Sequence, residues 1–182
     1  MSHDYDRLTP DTVLNAIDSI LGPKGSFTSG HQMALNSYEN RVYQVGIEDQ
    51  TPIIAKFYRP ERWREEQILE EHRFTAELLD LEVSVVPPLA DDNGQTLFEF
   101  QGFRFALYAR QGGQAPELDN LDHLLTLGRV IGRMHACGKL SHFQHRPRLD
   151  IQSYAINSAD FLERSDFIPD SLKEAYRTLA RD

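Results

Sequence analysis

The chain has 182 residues, and its 19 lysine and arginine residues against 28 aspartate and glutamate residues give a formal net charge of −9. This acidic balance disfavours nucleic acid as a partner, and a composition of 40% hydrophobic and 26% charged residues excludes the disordered and fibrous classes. No apolar run is long enough to span a membrane, and the N-terminus lacks a secretory signal pattern. The single cysteine, Cys137, cannot form an internal disulfide. We therefore expect a cytoplasmic protein with no membrane partner.

The predicted elements alternate between helical and extended patterns. Thr9 and Pro10 are typical of a helix start, and Gly22-Pro23 is typical of a helix end. Apolar spacing and turn residues then predict the remaining elements. These are a short strand near 25–30, strands at 42–47 and 53–58, a helix with apolar positions from 68 to 81, strands at 96–100 and 103–109, and helices at 121–138, 158–163 and 169–180.

This order predicts an α+β fold of the kinase-like small-lobe type, an antiparallel sheet plus a helix, followed by the first helices of an incomplete large lobe. We expect residues 1–107 to form a nucleotide-binding small lobe, 108–116 an interlobe linker and 117–182 the start of the helical large lobe. One helix cannot cover both faces of a five-stranded sheet, so we expect an open face that meets something else, such as a nucleotide.

Lys56 is the residue that points most directly to chemistry, because it is a lone ammonium within the apolar strand 53–58. A charge on the core side of a strand is costly unless it is paired, and the next helix supplies Glu70 and Glu71 about fifteen residues later. A lysine held by a helix glutamate can contact the α and β phosphates of ATP, and Glu71 is the preferred partner. Without further context, a solvent-facing Lys56 on an edge strand is an equal alternative.

The polar stretch 35–41 lies between two predicted strands and upstream of Lys56, where a phosphate-binding loop belongs. It contains no Gly-x-Gly-x-x-Gly, so phosphate contacts there would come from the Ser37 hydroxyl and from successive backbone N–H groups. An ordinary hairpin turn explains the same residue types equally well.

Three stretches, together with Gln101-Gly-Phe103 and Gly132-Arg-Met-His135, closely resemble the bacterial stress-response kinase A group (YihE/RdoA). They are Leu35-Asn-Ser-Tyr-Glu-Asn-Arg-Val-Tyr-Gln44, Lys56-Phe-Tyr-Arg-Pro-Glu-Arg-Trp63 and Gln67-Ile-Leu-Glu-Glu-His72. The resemblance extends over essentially the whole chain. It implies the fold of aminoglycoside phosphotransferases and choline kinases, and phosphorylation of protein serine and threonine with ATP and Mg²⁺ in the stress response.

The resemblance also implies a set of nucleotide-binding positions. Lys56 would bind phosphate, Glu71 would hold Lys56, with Glu70 as a substitute, and the linker backbone would hydrogen-bond adenine. The cofactor-binding residues expected on this basis are Ser37, Tyr38, Glu39, Asn40, Arg41, Lys56, Glu71, Leu107, Tyr108, Ala109 and Arg110.

The catalytic loop that the resemblance implies, His-Gly-Asp-x-His-x-Gly-Asn followed by a magnesium-binding Asp, does not occur in the sequence. We therefore expect no catalytic residue and no metal ligand in this chain, and no phosphate transfer by this polypeptide alone. The spacing of His135, Cys137, His142 and His145 matches no tetrahedral metal site.

Two classes of function remain open at this stage. The first is an ATP-dependent serine/threonine kinase represented by its nucleotide-binding half, with a small-molecule kinase as a variant of it. The second is a non-catalytic module that binds nucleotide or a partner. Because the apolar stripe of helix 121–138 would lack its large-lobe cover, we also expect the fragment to associate with itself.

Overall fold

The computed structural model describes residues 5–181 as a five-stranded antiparallel sheet with helices. The helices are α1 (Pro10–Leu21), α2 (Glu65–Asp80), α3 (Leu121–Gly138), α4 (Asn157–Arg164) and α5 (Asp170–Arg181). The strands are β1 (Thr28–Leu35), β2 (Arg41–Ile47), β3 (Ile53–Phe57), β4 (Phe98–Phe100) and β5 (Phe103–Ala109), in the spatial order β1-β2-β3-β5-β4. The predicted α+β class and kinase-like small lobe are confirmed.

The first predicted helix has the predicted start, because the Thr9 hydroxyl oxygen accepts the N–H of Thr12 at 3.2 Å. The first strand is longer than the sequence indicated, with eight residues in β1. The β1–β2 register shifts between Thr28 and Gln32, where Gly30 adopts a φ of +81°. This bulge breaks the alternation of apolar residues on which strand prediction depends.

The main core lies between α1 and one face of the sheet. The apolar side of α1, with Val13 and Ile17 fully buried, packs on strand residues that alternate onto the same face. Among them Phe57 and Phe105 stack at 5.1 Å between ring centroids. Burial of these large side chains is the main source of stability for the sheet.

The opposite face of the sheet carries a second, smaller core beneath α2, in which Ile68 packs against Tyr58, Leu97 and Ala106. The expected open face is found only in part, because α1 covers one face and α2 covers part of the other. The uncovered part of the α2 face lies over β2 and β3.

The chain divides into two compact units, one ending at His145 and the second beginning at Arg146. In the first unit Cys137 of α3 packs with Leu78 of α2 and with Val83, which follows α2. The second unit contains a π-helical turn, Gln152–Ile156, that runs into α4 and that the sequence pattern did not reveal. The lobe boundaries expected at 107 and 116 stay a prediction.

Candidate nucleotide-binding site

Lys56 lies at the centre of β3, on the face of the sheet that α2 partly covers. Its neighbours Ala55 and Phe57 point into the main core, so strand alternation turns the Lys56 side chain to the opposite face. The register places Lys56 opposite Val42 of β2 and Ala106 of β5. With 21% of its side chain exposed, Lys56 is neither fully buried nor fully exposed, and its strand has a neighbour on each side.

The ammonium of Lys56 forms an ion pair with α2. Its Nζ lies 3.0 Å from Oε1 of Glu71, whose side chain is 33% exposed, and 4.7 Å from the centroid of the Tyr58 ring. A half-exposed pair of this kind contributes about 1 kcal/mol at most to folding. Its main consequence is geometric, because Glu71 and Tyr58 fix the direction in which the ammonium points.

Glu70, the alternative partner, has a different role in the structure. Its carboxylate is 2% exposed and accepts the backbone N–H of Gln144 at 2.6 Å and of His145 at 3.0 Å. Arg73 lies 3.6 Å from it on the same helix. Between the two candidate glutamates, the structure therefore pairs Lys56 with Glu71.

The turn between β1 and β2 is held against the segment that follows β3. The Glu39 carboxylate accepts the indole N–H of Trp63 at 2.5 Å and the Nε–H of Arg62 at 3.2 Å. Asn40 accepts the backbone N–H of Arg59 at 3.3 Å, and the guanidinium of Arg41 lies 4.5 Å above the Tyr5 ring. The side chains of Glu39, Asn40 and Arg41 thus have contacts within the protein.

These contacts set the charge and the shape of the turn. Burial raises the pKa of the Glu39 carboxyl, but the hydrogen bonds from Trp63 and Arg62 outweigh it, and the pKa lies below its ordinary value of 4.5. Ser37 is half-buried and Tyr38 is fully exposed at the tip.

The predicted adenine-binding linker begins inside β5. Leu107 is buried, and its carbonyl accepts the N–H of Leu89 at 2.7 Å. The Tyr108 hydroxyl lies 3.3 Å from that of Tyr58, and burial raises the Tyr108 pKa to about 12. Ala109 ends the strand, and Arg110 donates from Nε to the Gln44 side chain at 2.9 Å.

Two apolar residues that the sequence reasoning missed complete this face. Val42 and Ile54 are half-buried and lie in the two strands that carry the turn and Lys56. Ile54 is two residues before Lys56 in the same strand and pairs with Tyr108, so all three share one face. Strand alternation from Lys56 was the signal that could have identified Ile54. The result is an apolar surface with an ammonium at one end and a polar turn beside it, which suits a flat heterocycle joined to phosphates.

A metal site is not found in the part of the chain that the structure describes. No group of three or more His, Cys, Asp or Glu side chains among these residues could hold an ion.

Among the described residues, no helix is long and apolar enough to cross a bilayer.

A model of the phosphotransferase enzyme family matches residues 32–181. The chain belongs to this family. It is 44% identical over 172 residues to stress response kinase A of Escherichia coli (strain K12), covering 94% of this chain and 51% of that protein. It is 40% identical over 172 residues to the serine/threonine protein kinase RdoA of Salmonella typhimurium (strain LT2), again covering 94% and 51%. The chain thus spans about half the length of the curated relatives it matches.

Solved structures of small-molecule kinases share the fold. Amicoumacin kinase hAmiN, solved with AMP-PNP, Ca²⁺ and Ami, superposes with a TM-score of 0.64 at 21% identity, covering 84% of this chain and 48% of the kinase. A microcompartment-associated aminopropanol kinase gives a TM-score of 0.57 at 19% identity, covering 76% and 46%. At these identities the likeness establishes the protein-kinase-like fold and nothing finer.

Proposed function

We propose that this chain is the nucleotide-binding part of an ATP-dependent serine/threonine protein kinase of the stress-response type, and that it binds ATP without transferring phosphate by itself. The observation that carries the proposal is the Lys56–Glu71 pair, with 3.0 Å between Nζ and Oε1, on the sheet face that α2 covers only in part. The Lys56 ammonium, held in place beside an apolar surface, favours a nucleoside triphosphate over a neutral ligand.

Each residue of the site has a distinct task in this proposal. Lys56 contacts the α and β phosphates, and Glu71 keeps its ammonium directed at them. The turn contributes the Ser37 hydroxyl and backbone N–H groups. Val42 and Ile54 contact the adenine ring, and the backbone of 108–110 hydrogen-bonds its edge.

ATP would supply the phosphoryl group for transfer, with Mg²⁺ to offset the charge that develops on it. In this proposal the chain's own contribution is to bind and orient the nucleotide. We place the metal ligands and the group that orients the acceptor hydroxyl in the part of the relatives that this chain does not match.

Protein serine or threonine as the acceptor is supported by the 40% identity to a protein named as a serine/threonine kinase. The small-molecule kinases share only the fold at 19–21% identity, which gives less support to an acceptor of their kind. The alternative is a non-catalytic nucleotide-binding or interaction module, which shares the nucleotide site with the first proposal but has no phosphate-transfer step.

Nucleotide binding by the purified chain tests the proposal directly. Titration with a fluorescent ATP analogue should show that Lys56→Ala weakens binding by about tenfold or more, because a charge-assisted contact contributes about 1.5–3 kcal/mol. Lys24→Ala is the matched control, since Lys24 is a surface lysine paired with Asp92 at 2.6 Å and distant from β3 in sequence. Equal affinities for all three proteins, with unchanged circular dichroism, would refute the site.

Phosphate transfer is tested separately with labelled ATP, magnesium and a general protein acceptor such as casein. We expect the chain to give the same background as Lys56→Ala. Transfer that depends on Lys56 would show that the 182 residues suffice for catalysis and would contradict the inactive-fragment part of the proposal.

A further inference from the structure

Residues 141–145, the segment that follows α3, pack along one face of α2. The residues of α2 that contact the segment recur every three or four positions and so form one stripe of the helix. They are Gln67, Glu70, Phe74 and Glu77.

Glu70 makes the strongest of these contacts. Its two carboxylate oxygens accept two successive backbone N–H groups, those of Gln144 at 2.6 Å and His145 at 3.0 Å. The carboxylate is 2% exposed. A buried carboxyl group that accepts two backbone N–H groups is expensive to leave unpaired, so the segment and the helix hold each other firmly.

The remaining contacts extend the attachment over three turns of α2. Gln67 donates from Nε2 to the carbonyl of His145 at 2.9 Å, and the rings of Phe74 and Phe143 meet edge to face at 5.2 Å. At the far end the Ser141 hydroxyl lies 3.4 Å from the Glu77 carboxylate. The void between helix and segment is about 10 Å³, room for no more than about one water molecule.

The next residue of the helix, Glu71, points about 100° further around the axis, towards β3. There it pairs with Lys56 at 3.0 Å. Two adjacent carboxylates of α2 therefore have partners far apart in sequence, one at Lys56 and the other at 144–145. A rotation or shift of α2 that loosened the Glu70 contacts would also displace Glu71.

We propose that Glu70 is a positioning residue: by holding α2 to the 141–145 segment, it keeps Glu71 in place to orient Lys56. The purpose of this positioning, phosphate binding by Lys56, rests on the proposed function. Loss of the Glu70 contacts lets α2 shift, separates Glu71 from Lys56 and exposes the ammonium. Any event that moves residues 141–145 thereby reaches the nucleotide site through α2.

The first experiment reads the state of Lys56 without any nucleotide. Trace labelling with an amine-reactive ester, analysed by mass spectrometry, gives the labelling rate of Lys56 relative to Lys24 in the same molecule. Glu70→Gln should raise this ratio severalfold towards that of Glu71→Gln, because the ammonium loses its partner. Glu66→Gln, an exposed glutamate in the first turn of α2, is the matched control and should leave the ratio unchanged.

A double variant separates positioning from a general structural role. If Glu70 acts through Glu71, the variant Glu70→Gln/Glu71→Gln should label no faster than Glu71→Gln alone. A faster rate in the double variant, or a wild-type rate in Glu70→Gln, would overturn the proposal. Phe143→Ala removes the ring contact with Phe74 from the segment side. It should raise the Lys56 to Lys24 labelling ratio in the wild-type background but not in the Glu71→Gln background. If Glu70→Gln does not fold, this pair of measurements tests whether the segment positions Lys56 through Glu71.

The second experiment measures affinity for a fluorescent ATP analogue, and it separates failure of this inference from failure of the proposed function. Binding that weakens about tenfold or more in Lys56→Ala and about threefold or more in Glu70→Gln is the expected result. If Lys56→Ala weakens binding but Glu70→Gln changes neither affinity nor labelling, the positioning role is wrong and the nucleotide site stands. If Lys56→Ala binds like the wild type, the nucleotide site is wrong, and the labelling rates still decide whether Glu70 positions Lys56.

Discussion

The sheet region buries many of its apolar side chains, whereas the helices that follow it leave most of theirs exposed to solvent. Among residues 5–181, the buried apolar side chains run from Leu8 to Leu107, with Cys137 the one later member. Beyond that region, leucines 121, 140 and 179 are each 79% exposed. The sheet region therefore stabilises itself, and its candidate site can be explained from its own contacts. The later helices carry apolar surface of a kind that proteins usually cover.

The largest expected difference between the two regions is in stability. Phe57→Ala should lower the free energy of unfolding by about 3–5 kcal/mol, because it empties a fully buried position. Phe167→Ala, the same change at a position that is 76% exposed in the second unit, should change it by about 0.5 kcal/mol or less. Urea denaturation followed by circular dichroism measures both, and similar losses would contradict the comparison.

The next expected difference concerns nucleotide affinity. Glu71→Gln should weaken binding of an ATP analogue by about tenfold, because Lys56 loses the charge that directs it. Glu163→Gln removes a carboxylate that pairs with Arg177 at 3.6 Å in the second unit, and it should leave the affinity unchanged. Calorimetric titration distinguishes the two, and an equal loss in both variants would show that affinity reports general stability instead of the site.

Association of the chain with itself should depend on the exposed face of α3. We expect the 20.9 kDa chain to elute as a dimer or larger species and Leu125→Glu to shift it towards the monomer. Met33→Glu in β1 is the control, since Met33 is 54% exposed and Leu125 53%. Light scattering after size-exclusion chromatography gives the masses. A monomeric wild type would refute the expectation.

The smallest expected effect is the pH dependence contributed by Glu39. Its pKa is lower in the folded protein than its ordinary value of 4.5, so its ionised form stabilises the fold above pH 4.5, and this contribution is lost as the pH falls through the folded pKa. Glu39→Gln should therefore reduce the difference between the free energies of unfolding at neutral and at acidic pH. Urea titrations of both proteins across this range test the sign, and a larger difference in the variant would contradict it.

The sequence predicted the α+β fold from local periodicity, and it gave a Lys56 paired with a helix glutamate as one of two equal alternatives. Alternation placed Lys56 within an apolar strand, and the helical pattern put two glutamates at the right distance along the chain. The choice between Glu70 and Glu71 needed the structure, since the Glu70 partners lie 74 and 75 residues away. No local pattern encodes such a contact.

The β1–β2 turn shows the same limit. Ser37 to Arg41 were assigned to nucleotide binding as one stretch, because a resemblance does not show what each side chain contacts. In the structure the Glu39 carboxylate accepts a hydrogen bond from the indole N–H of Trp63, which lies 24 residues later. The assignment of the turn to phosphate stays a prediction.

An NMR titration of the ¹⁵N-labelled chain with AMP-PNP tests the central claim most directly, because it locates the ligand as well as detecting it. Bound nucleotide should shift the amide signals of 36–40, 54–57 and 107–110 together and leave those of α5 in place. Lys56→Ala should reduce these shifts at the same nucleotide concentration. Shifts confined to the helices after 117, or an unaltered spectrum at saturating nucleotide, would contradict the assignment of this sheet face as the nucleotide site.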